Sequence, residues 1–538
     1  MYLDTSKSNY NNKTYTRALL RTTYRDKKDG KIKHKTIANL GECTSEEIAA
    51  IKLALQYKGD LGKLADIRDV QLQQGLHIGA LLLLTAIAKK LRITKALQDI
   101  LQDKTEVGVT LWQIFARIIY QGSRLSAFNM SKHHALQDCL GIEFGNKNQM
   151  YNNLKVVSDN IGRLEKQLFK LRDGYASNLY LYDVTSSYLE GTCNEYGAYG
   201  YNRDKKSGKQ QIVIGLLTDE NGIPVACRVF DGNTVDTKTV GTQIQLLANE
   251  FGVKNITLVG DRGMLKTPQI NELPSGFNYI TAISKAQIQT LLKADIINYE
   301  LFDKELTEVI DNNNRYILRL NPYRRDEIRA TRQSKYDKLN VFLTEQNLYL
   351  QEHKKAKTET AYRKIYNKLN AYKLDYVSVT VNENERSLSL CIDINQLAQL
   401  EQLDGCYCLK TDILDVDKAL IHARYKDLAK VENAFRTMKQ EHLDIRPIYV
   451  RKKSSTDAHV FITMLAYMIT QELEKLWHDC GYTVQQAISL INSITYQEVL
   501  ITNQKTQLRI PKPTAEIELL LAKANVVLPT IKSNVTTK

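Results

Sequence analysis

Three acidic side chains, far apart in the chain, have the types and settings that could do chemistry. Asp183 stands in "LYLYDVT" and Asp261 in "TLVGDRG", each where an apolar run of strand character gives way to polar residues. Each carboxylate is thereby set at the rim of a sheet. A strand-terminal aspartate is also an ordinary cap for the turn that follows, so neither residue alone separates the two roles. Glu432, in "KDLAKVENAFRTMK", supplies a third acid. At about 100° per residue, Tyr425, Leu428, Glu432 and Lys439 fall on one narrow stripe of a single expected helix. A carboxylate, a phenol and an ammonium on one face suit a metal-bound phosphate, the acid taking the cation while the other two contact phosphate oxygens. The competing reading is a packing face on which Glu432 pairs with Arg436 one turn later. Ser186 and Ser187 follow the first acid without a matching histidine base, which speaks against serine nucleophile chemistry.

The elements that must position these acids can be read from periodicity. From residue 178 the chain reads as strands: "NLYLYDVTSSYLEG", then a hairpin turning at Asp219 to Gly222, a helix from Thr239 to Glu250, a strand ending at Gly260-Asp261, and a further strand in "FNYITAISK". That order predicts an α/β fold with a mixed sheet. Between Lys285 and Thr411 it is interrupted by basic helices over 324–375 and by the hairpin "DYVSVTVNENERSLSLCIDI", which read together as an insertion. Residues 66–174 predict a separate all-helical region, in which "SKHH" at 131–134 reads as surface residues rather than metal ligands. Ahead of it, "YTRALLRTTYRDKKDGKIKHKTIANL" reads as two strands around the turn "DKKDG". Arg17, Arg21 and Arg25 share one parity and Lys31, Lys33 and Lys35 another, so each strand gathers its cations on one side. Such a hairpin suits a phosphate-tracking surface or, equally, a sheet edge guarded by charge. After the helix of Glu432, "DAHVFITMLAYMITQELEKLW" reads as a buried helix and the tail from about 482 as weakly ordered. The expected division is 1–65 (basic hairpin, DNA-binding), 66–174 (helical, DNA-binding or dimerisation), 175–290 (core, first part), 291–410 (insertion), 411–478 (core, second part) and 479–538 (C-terminal region).

Composition narrows the partners. With 74 Lys and Arg against 60 Asp and Glu, the formal charge is +14, and a basic surface attracts polyanions, nucleic acid first among them. Eight cysteines show no CxxC pair and no zinc-type cluster with histidine, as expected of reduced thiols in a cytosol. The run "IGALLLLTAIA" from Ile78 is too short to span a membrane and reads as a buried helix. The N-terminus lacks the apolar core of a secretory signal.

Taken together, "YDVT", "GYNRDK", "VIGL", "FDGNTVD", "GDRGM" and "VENAFRTMK…IRPIYV" resemble, in the same order over about 180 to 470, the blocks of insertion-sequence transposases of the DDE type. In the large group of that family the third acid lies in a "Y, two residues, R, three, E, six, K" signature. Tyr425, Glu432 and Lys439 match its spacing, and Leu428 stands at the arginine position. The resemblance implies a ribonuclease-H-like catalytic core with an N-terminal basic hairpin, a helical region and an insertion. It also implies that Asp183, Asp261 and Glu432 are the catalytic and metal-binding residues, holding two Mg²⁺ ions with Mn²⁺ as a substitute. The expected reaction is cleavage of DNA and transfer of the freed strand to target DNA. The expected partners are double-stranded transposon ends and target, with a homodimer formed on DNA, no membrane and no small-molecule cofactor. The expected place is the bacterial cytoplasm, on the nucleoid. Candidate DNA contacts are Tyr425, Lys439, Arg436, Arg262, Arg203 and Lys205, with Arg17, Arg21, Lys31 and Lys33 in the hairpin, and several of these cations could instead be local ion-pair partners. Asn233 and Asp236 either orient the site or cap the helix at Thr239. Two alternatives stand beside this reading: a metal-dependent nuclease without strand transfer, and a non-catalytic DNA-binding protein derived from a transposase.

Overall fold

The computed structural model describes residues 1–529 apart from 11–12, 29, 60–69, 173–177, 205, 252, 254, 263, 440–442, 447 and 502–503. The chain divides into two compact units, one made of residues 1–86, 130–139 and 476–538 and the other of 87–129 and 140–475.

The first unit begins with β1 (Tyr2–Tyr10), β2 (Lys13–Arg25) and β3 (Ile32–Asn39), an antiparallel sheet in that order. The expected hairpin is its β2–β3 half, and β1 is an added strand. Across β2 and β3, Arg25 faces Ile32 and Arg21 faces Thr36, whereas Tyr24 faces Lys33 and Thr22 faces Lys35. Paired residues project from the same face. The arginines of one strand and the lysines of the other therefore occupy opposite faces. A helix, Ser45–Gln56, follows behind a capping box of Thr44 and Glu47. Next comes β4 (Val70–His77), where a helical pattern was expected from residue 66; residues 66–69 lie outside the described ones. The run from Ile78 is a buried helix, Gly79–Lys90, with Leu81, Leu83 and Leu84 fully covered. Each such leucine stabilises the fold by about 1.5–3 kcal/mol.

The second unit holds most of the remaining helices as well as the main sheet. The helices Ile93–Leu101, Lys104–Tyr120 and Asn148–Leu171 belong to it, and the last is tied to the sheet by buried Glu165, which accepts from Arg228 at 2.7 Å. The stretch 66–174 is thus divided between the two units instead of standing apart. The sheet has eight strands. β5 (Leu179–Tyr188), β6 (Gln211–Asp219) and β7 (Pro224–Asp231) form an antiparallel meander, and β8 (Ile256–Gly260) and β9 (Phe277–Ala282) continue it parallel to β5. β5, β6 and β8 are covered almost throughout, the signature of central strands packed on both faces.

After β9 come β10 (Thr307–Asp311) and β11 (Asn314–Leu320). The helices Pro322–Glu352 and Thr358–Tyr372 then pack on the hairpin of β12 (Val377–Asn382) and β13 (Ser387–Ile392), around their own core of Leu339, Leu343, Ile365, Leu369 and Leu388. β14 (Cys406–Thr411) returns to the sheet, whose full order is β10-β11-β14-β9-β8-β5-β6-β7. Three strands of the expected insertion therefore extend the main sheet, and only about 322–402 stands off it.

All but the last two residues of the long helix Lys453–Trp477 belong to this unit. The tail, expected to be weakly ordered, instead forms a capped helix, Val484–Asn492, then β15 (Thr495–Ile501) and β16 (Gln504–Arg509), and a helix, Ala515–Lys523. β15 pairs with β4, more than four hundred residues earlier, to complete the first unit. His134 is buried there, stacked on His77, with Nδ1 bonded to the Met130 carbonyl, so it is a core residue and not a surface one. Among the described residues no helix is long and apolar enough to cross a membrane.

Candidate active site

The parallel pairing of β5 with β8 runs from Leu179 opposite Thr257 to Tyr182 opposite Gly260. One step further along both chains stand Asp183 and Asp261. Asp183 lies partly buried within β5, its Oδ1 accepting the Val184 N–H at 2.8 Å. Asp261 is exposed just past the end of β8, its Oδ1 accepting the Arg262 N–H at 2.7 Å. Asp261 stands at the strand end where the sequence set it, whereas Asp183 lies in the middle of β5, which continues to Tyr188 paired with β6, and not at a strand end.

The third acid is brought toward the other two by packing. The chain expected to form one helix through Tyr425 and Lys439 is two, Lys418–Lys426 and Leu428–Lys439, joined at Asp427. The four-residue stripe is correspondingly divided. Leu428 is buried with Val431, Phe435 and Met438 on the face that lies on the sheet, while Glu432 is exposed. The second helix is also clamped to the β6–β7 turn. Lys430 donates to the Glu220 carbonyl at 2.6 Å, and Gly222, at φ +76°, leaves room for the Lys430 side chain where a Cβ would stand 2.8 Å from it. Arg436 does not pair with Glu432 but donates to Asn433 at 2.6 Å.

Asp183 senses the other two acids. The Asp183 carboxyl is pushed up to about 7, first by burial and then by the negative charges of Asp261 and Glu432, against the Val184 N–H and the Arg203 charge. Like charges in a partly desolvated site disfavour the ionised form in this way. Among the described residues, no three His, Cys, Asp or Glu side chains are gathered closely enough to hold one metal ion. In donor chemistry the set is hard oxygen throughout, as a small divalent cation requires, and its mutual repulsion is what such a cation would relieve.

Around the acids, the nominated cations separate into paired and open ones. Tyr425 turns its hydroxyl to Asp261, donating to Oδ1 at 3.3 Å, and burial and the Asp261 charge raise its pKa, so it remains a phenol. Arg203 pairs with Asp236 at 2.8 Å. Asp236 opens the helix Asp236–Gln245, three residues before the expected start, and makes no cap bond of its own. Lys439 pairs with Asp204 at 3.0 Å, and Arg446 pairs with the same oxygen. Arg262 and Arg436 are exposed, and Lys205 lies outside the described residues. In the N-terminal sheet Arg21 pairs with Asp4 at 2.6 Å, Lys33 pairs with Asp26, and Arg17 and Lys31 are exposed.

Asp204 was not singled out in the sequence, yet it joins three elements. Its buried carboxylate also accepts the Tyr188 N–H from the end of β5 at 3.1 Å. The loop that carries it is fixed by close backbone approach. A Cβ on Gly232 would lie 1.9 Å from the Gln211 carbonyl, and one on Gly200 would lie 2.3 Å from the Gly232 carbonyl, so both crossings require glycine. Gln211 Nε2 then donates to the Gly232 and Tyr201 carbonyls at 2.7 and 3.1 Å. The signal available in the sequence was one acid between cations in "YNRDKK".

Comparison with known proteins bears on this arrangement. Residues 175–469 match the family described as transposase DDE domain, and residues 3–65 match the family described as IS1634 family transposase, N-terminal domain. No curated protein matches the chain. A solved structure described as the cryo-EM structure of piggyBac transposase synaptic complex with hairpin DNA is similar over 78% of this chain and 70% of that one, at 8% identity and a TM-score of 0.35.

Proposed function

Because the chain belongs to the transposase DDE domain family, we propose that it is the transposase of an insertion sequence, cutting DNA at the element's terminal inverted repeats and joining the freed ends to target DNA. The observation that carries this reading is that Asp183 and Asp261 stand one step beyond the paired ends of β5 and β8, with Asp183 raised to about 7 first by burial and further by the charges of Asp261 and Glu432. The strand order β7-β6-β5-β8-β9, an antiparallel meander continued by two strands parallel to its first, supports a ribonuclease-H-like core.

In this reading Asp183, Asp261 and Glu432 would draw closer than they stand here to hold two divalent ions, Mg²⁺ with Mn²⁺ as a substitute. The chemistry such ions supply when bound is activation of the attacking water or 3′-hydroxyl and stabilisation of the leaving oxygen at phosphorus. The protein's own groups do the rest. Tyr425 steadies the Asp261 carboxylate through its hydroxyl. Exposed Arg262 and Arg436 are free to meet DNA phosphates beside the acids. Arg203 and Lys439 fix the loop and the helix from within. The N-terminal sheet, with arginines on one face and lysines on the other, contributes further phosphate contacts, and two copies of the chain assemble on paired ends.

The test takes terminal-repeat DNA with Mn²⁺ and compares the wild type with Asp183→Asn, Asp261→Asn and Glu432→Gln. Cleavage and joining are expected to fall to background in each variant while DNA affinity is kept. Full cleavage by all three would sink the assignment. Pre-cleaved ends that stay unlinked to target DNA in the wild type would favour a nuclease instead.

A further inference from the structure

We infer that a basic cleft, separate from the three acids and linked to them through Asp204 and β5, is a seat for the sugar-phosphate backbone of DNA. The inference rests on the transposase reading and adds where the DNA runs. The cleft, of about 1010 Å³, opens between the ends of the helices Lys104–Tyr120 and Asn148–Leu171 and the segment 444–459. That is at the upper end of ligand clefts and too wide for a single inorganic ion.

Its charge is one-sided. Arg117 and Arg124 form the floor, Arg446 a wall, and Arg451 and Lys452 the rim, whereas Asp444 is the one carboxylate among the described lining residues. The floor cations have only neutral acceptors. Arg117, 8% exposed, donates to the Leu443 and Asp444 carbonyls at 3.3 and 3.2 Å, and Arg124 donates to Gln113 Oε1 at 2.9 Å and to His459 Nδ1 at 3.0 Å. His459 is held neutral, its Nε2–H donating to the Ile445 carbonyl at 3.0 Å. Burial lowers Arg117 to about 10, and burial with the neighbouring Arg117 charge lowers Arg124 to about 9. Arg117 feels the Asp444 charge and Arg124 that of no carboxylate, so two guanidiniums against one acid leave a positive field in a low-dielectric floor, which an entering anion relieves.

The rim is set in advance. The Glu195 N–H donates to the Arg451 carbonyl at 2.8 Å and Asn194 Nδ2 to the Val450 carbonyl at 2.7 Å, which fixes the backbone on which Arg451 and Lys452 project. Both side chains are exposed, and among the described residues neither enters an ion pair. Tyr449, 68% exposed, also lines the cleft and supplies a ring on which a sugar or base can pack. Repeating phosphates match spaced cations with an aromatic between them better than a lone anion does. The cleft also connects to the acids. Arg446 pairs with Asp204, which bonds Tyr188, and Tyr188 lies five residues along β5 from Asp183, about 17 Å at strand rise. A duplex of about two turns lying across the acids is long enough to reach the cleft as well.

The experiment measures affinity for a random-sequence 30-base-pair duplex by fluorescence anisotropy in EDTA, where no cleavage occurs, over a series of salt concentrations. Arg451→Gln/Lys452→Gln is compared with wild type and with Lys354→Gln/Lys355→Gln, an exposed pair elsewhere with the same change in charge. The cleft pair is expected to weaken binding at least tenfold and to lower the salt slope by about 1.8, two phosphate contacts' worth, with the other pair near wild type. Unchanged affinity and slope in the cleft pair, or equal losses in both pairs, overturns the cleft while leaving the transposase reading standing. A wild type that binds no duplex overturns both.

Discussion

At the scale of single residues, the buried Asp204 carboxylate matters as much to the site as any exposed acid. It is 3% exposed and answers two cations, Lys439 at 3.0 Å and Arg446, which are themselves 11% and 15% exposed. Removing its charge leaves an ammonium and a guanidinium in a desolvated pocket, and breaking such an arrangement from one side costs about 3–5 kcal/mol. Asp204→Asn is therefore expected to lower the thermal midpoint by several degrees. Adding Lys439→Met, which deletes one orphaned charge while keeping the apolar stem, should recover part of the loss; a double variant no better than the single would show that Lys439 is not held by this pair. The three proposed acids stand out in the sequence because each closes or interrupts a periodic element, a mark that survives without any partner. Asp204 was hidden for the opposite reason. Its meaning lies in Lys439 and Arg446, more than two hundred residues away, and nothing local to "YNRDKK" distinguishes a hub from a surface acid.

At the scale of elements, the break at Asp427 decides what Tyr425 does. A single helix would have put its phenol in line with Glu432. The shorter helix Lys418–Lys426 instead carries it to Asp261. The same helix is anchored by His422, buried at 7% exposure against the Tyr407 hydroxyl, with Arg319 3.4 Å away. Burial first, then the charges of Lys426 and Arg319, lower this histidine from 6.5 to about 4. The folded protein thus prefers the neutral ring, while the unfolded chain takes up a proton through 6.5. The stability this contributes is complete above about pH 6.5 and is lost as pH falls toward and through 4. Urea midpoints measured from pH 7 to pH 4 should decline less steeply in His422→Gln than in the wild type, and parallel curves would refute the assignment. The sequence supplied the helical pattern here but not the break. Apolar spacing continues across Asp427, and only packing against two different strands, β8 and β5, makes two short helices fit better than one.

At the scale of the whole chain, the boundaries least visible in the sequence are those drawn by pairing between distant strands. The basic helices of the insertion were legible, because their periodicity and charge differ from the sheet around them. The ownership of β10, β11 and β14 was not, since a strand's own residues do not say which edge it joins. The observed root of the insertion is narrow. Leu320 and Cys406 are cross-strand partners, and the Asn321 N–H donates to the Gly405 carbonyl at 2.9 Å. The chain leaves and returns within one strand spacing, and the helices beyond carry a core of their own. Replacing residues 321–405 by a two-residue Asn-Gly turn should thus convert β11 and β14 into a simple hairpin at the length such a turn closes. The losses are Leu403 from the cluster beneath these strands and the ion pairs of Asp404 with Lys285 and Arg332. The shortened protein is expected to unfold cooperatively, with a lower midpoint and strand content kept by circular dichroism. An aggregated or non-cooperative product would mean that the insertion is part of what folds the sheet. If the shortened chain folds and still cleaves terminal-repeat DNA, the insertion is dispensable for the chemistry of the acids; if it folds and binds DNA but no longer cleaves, those eighty-odd residues act on DNA or on the site itself.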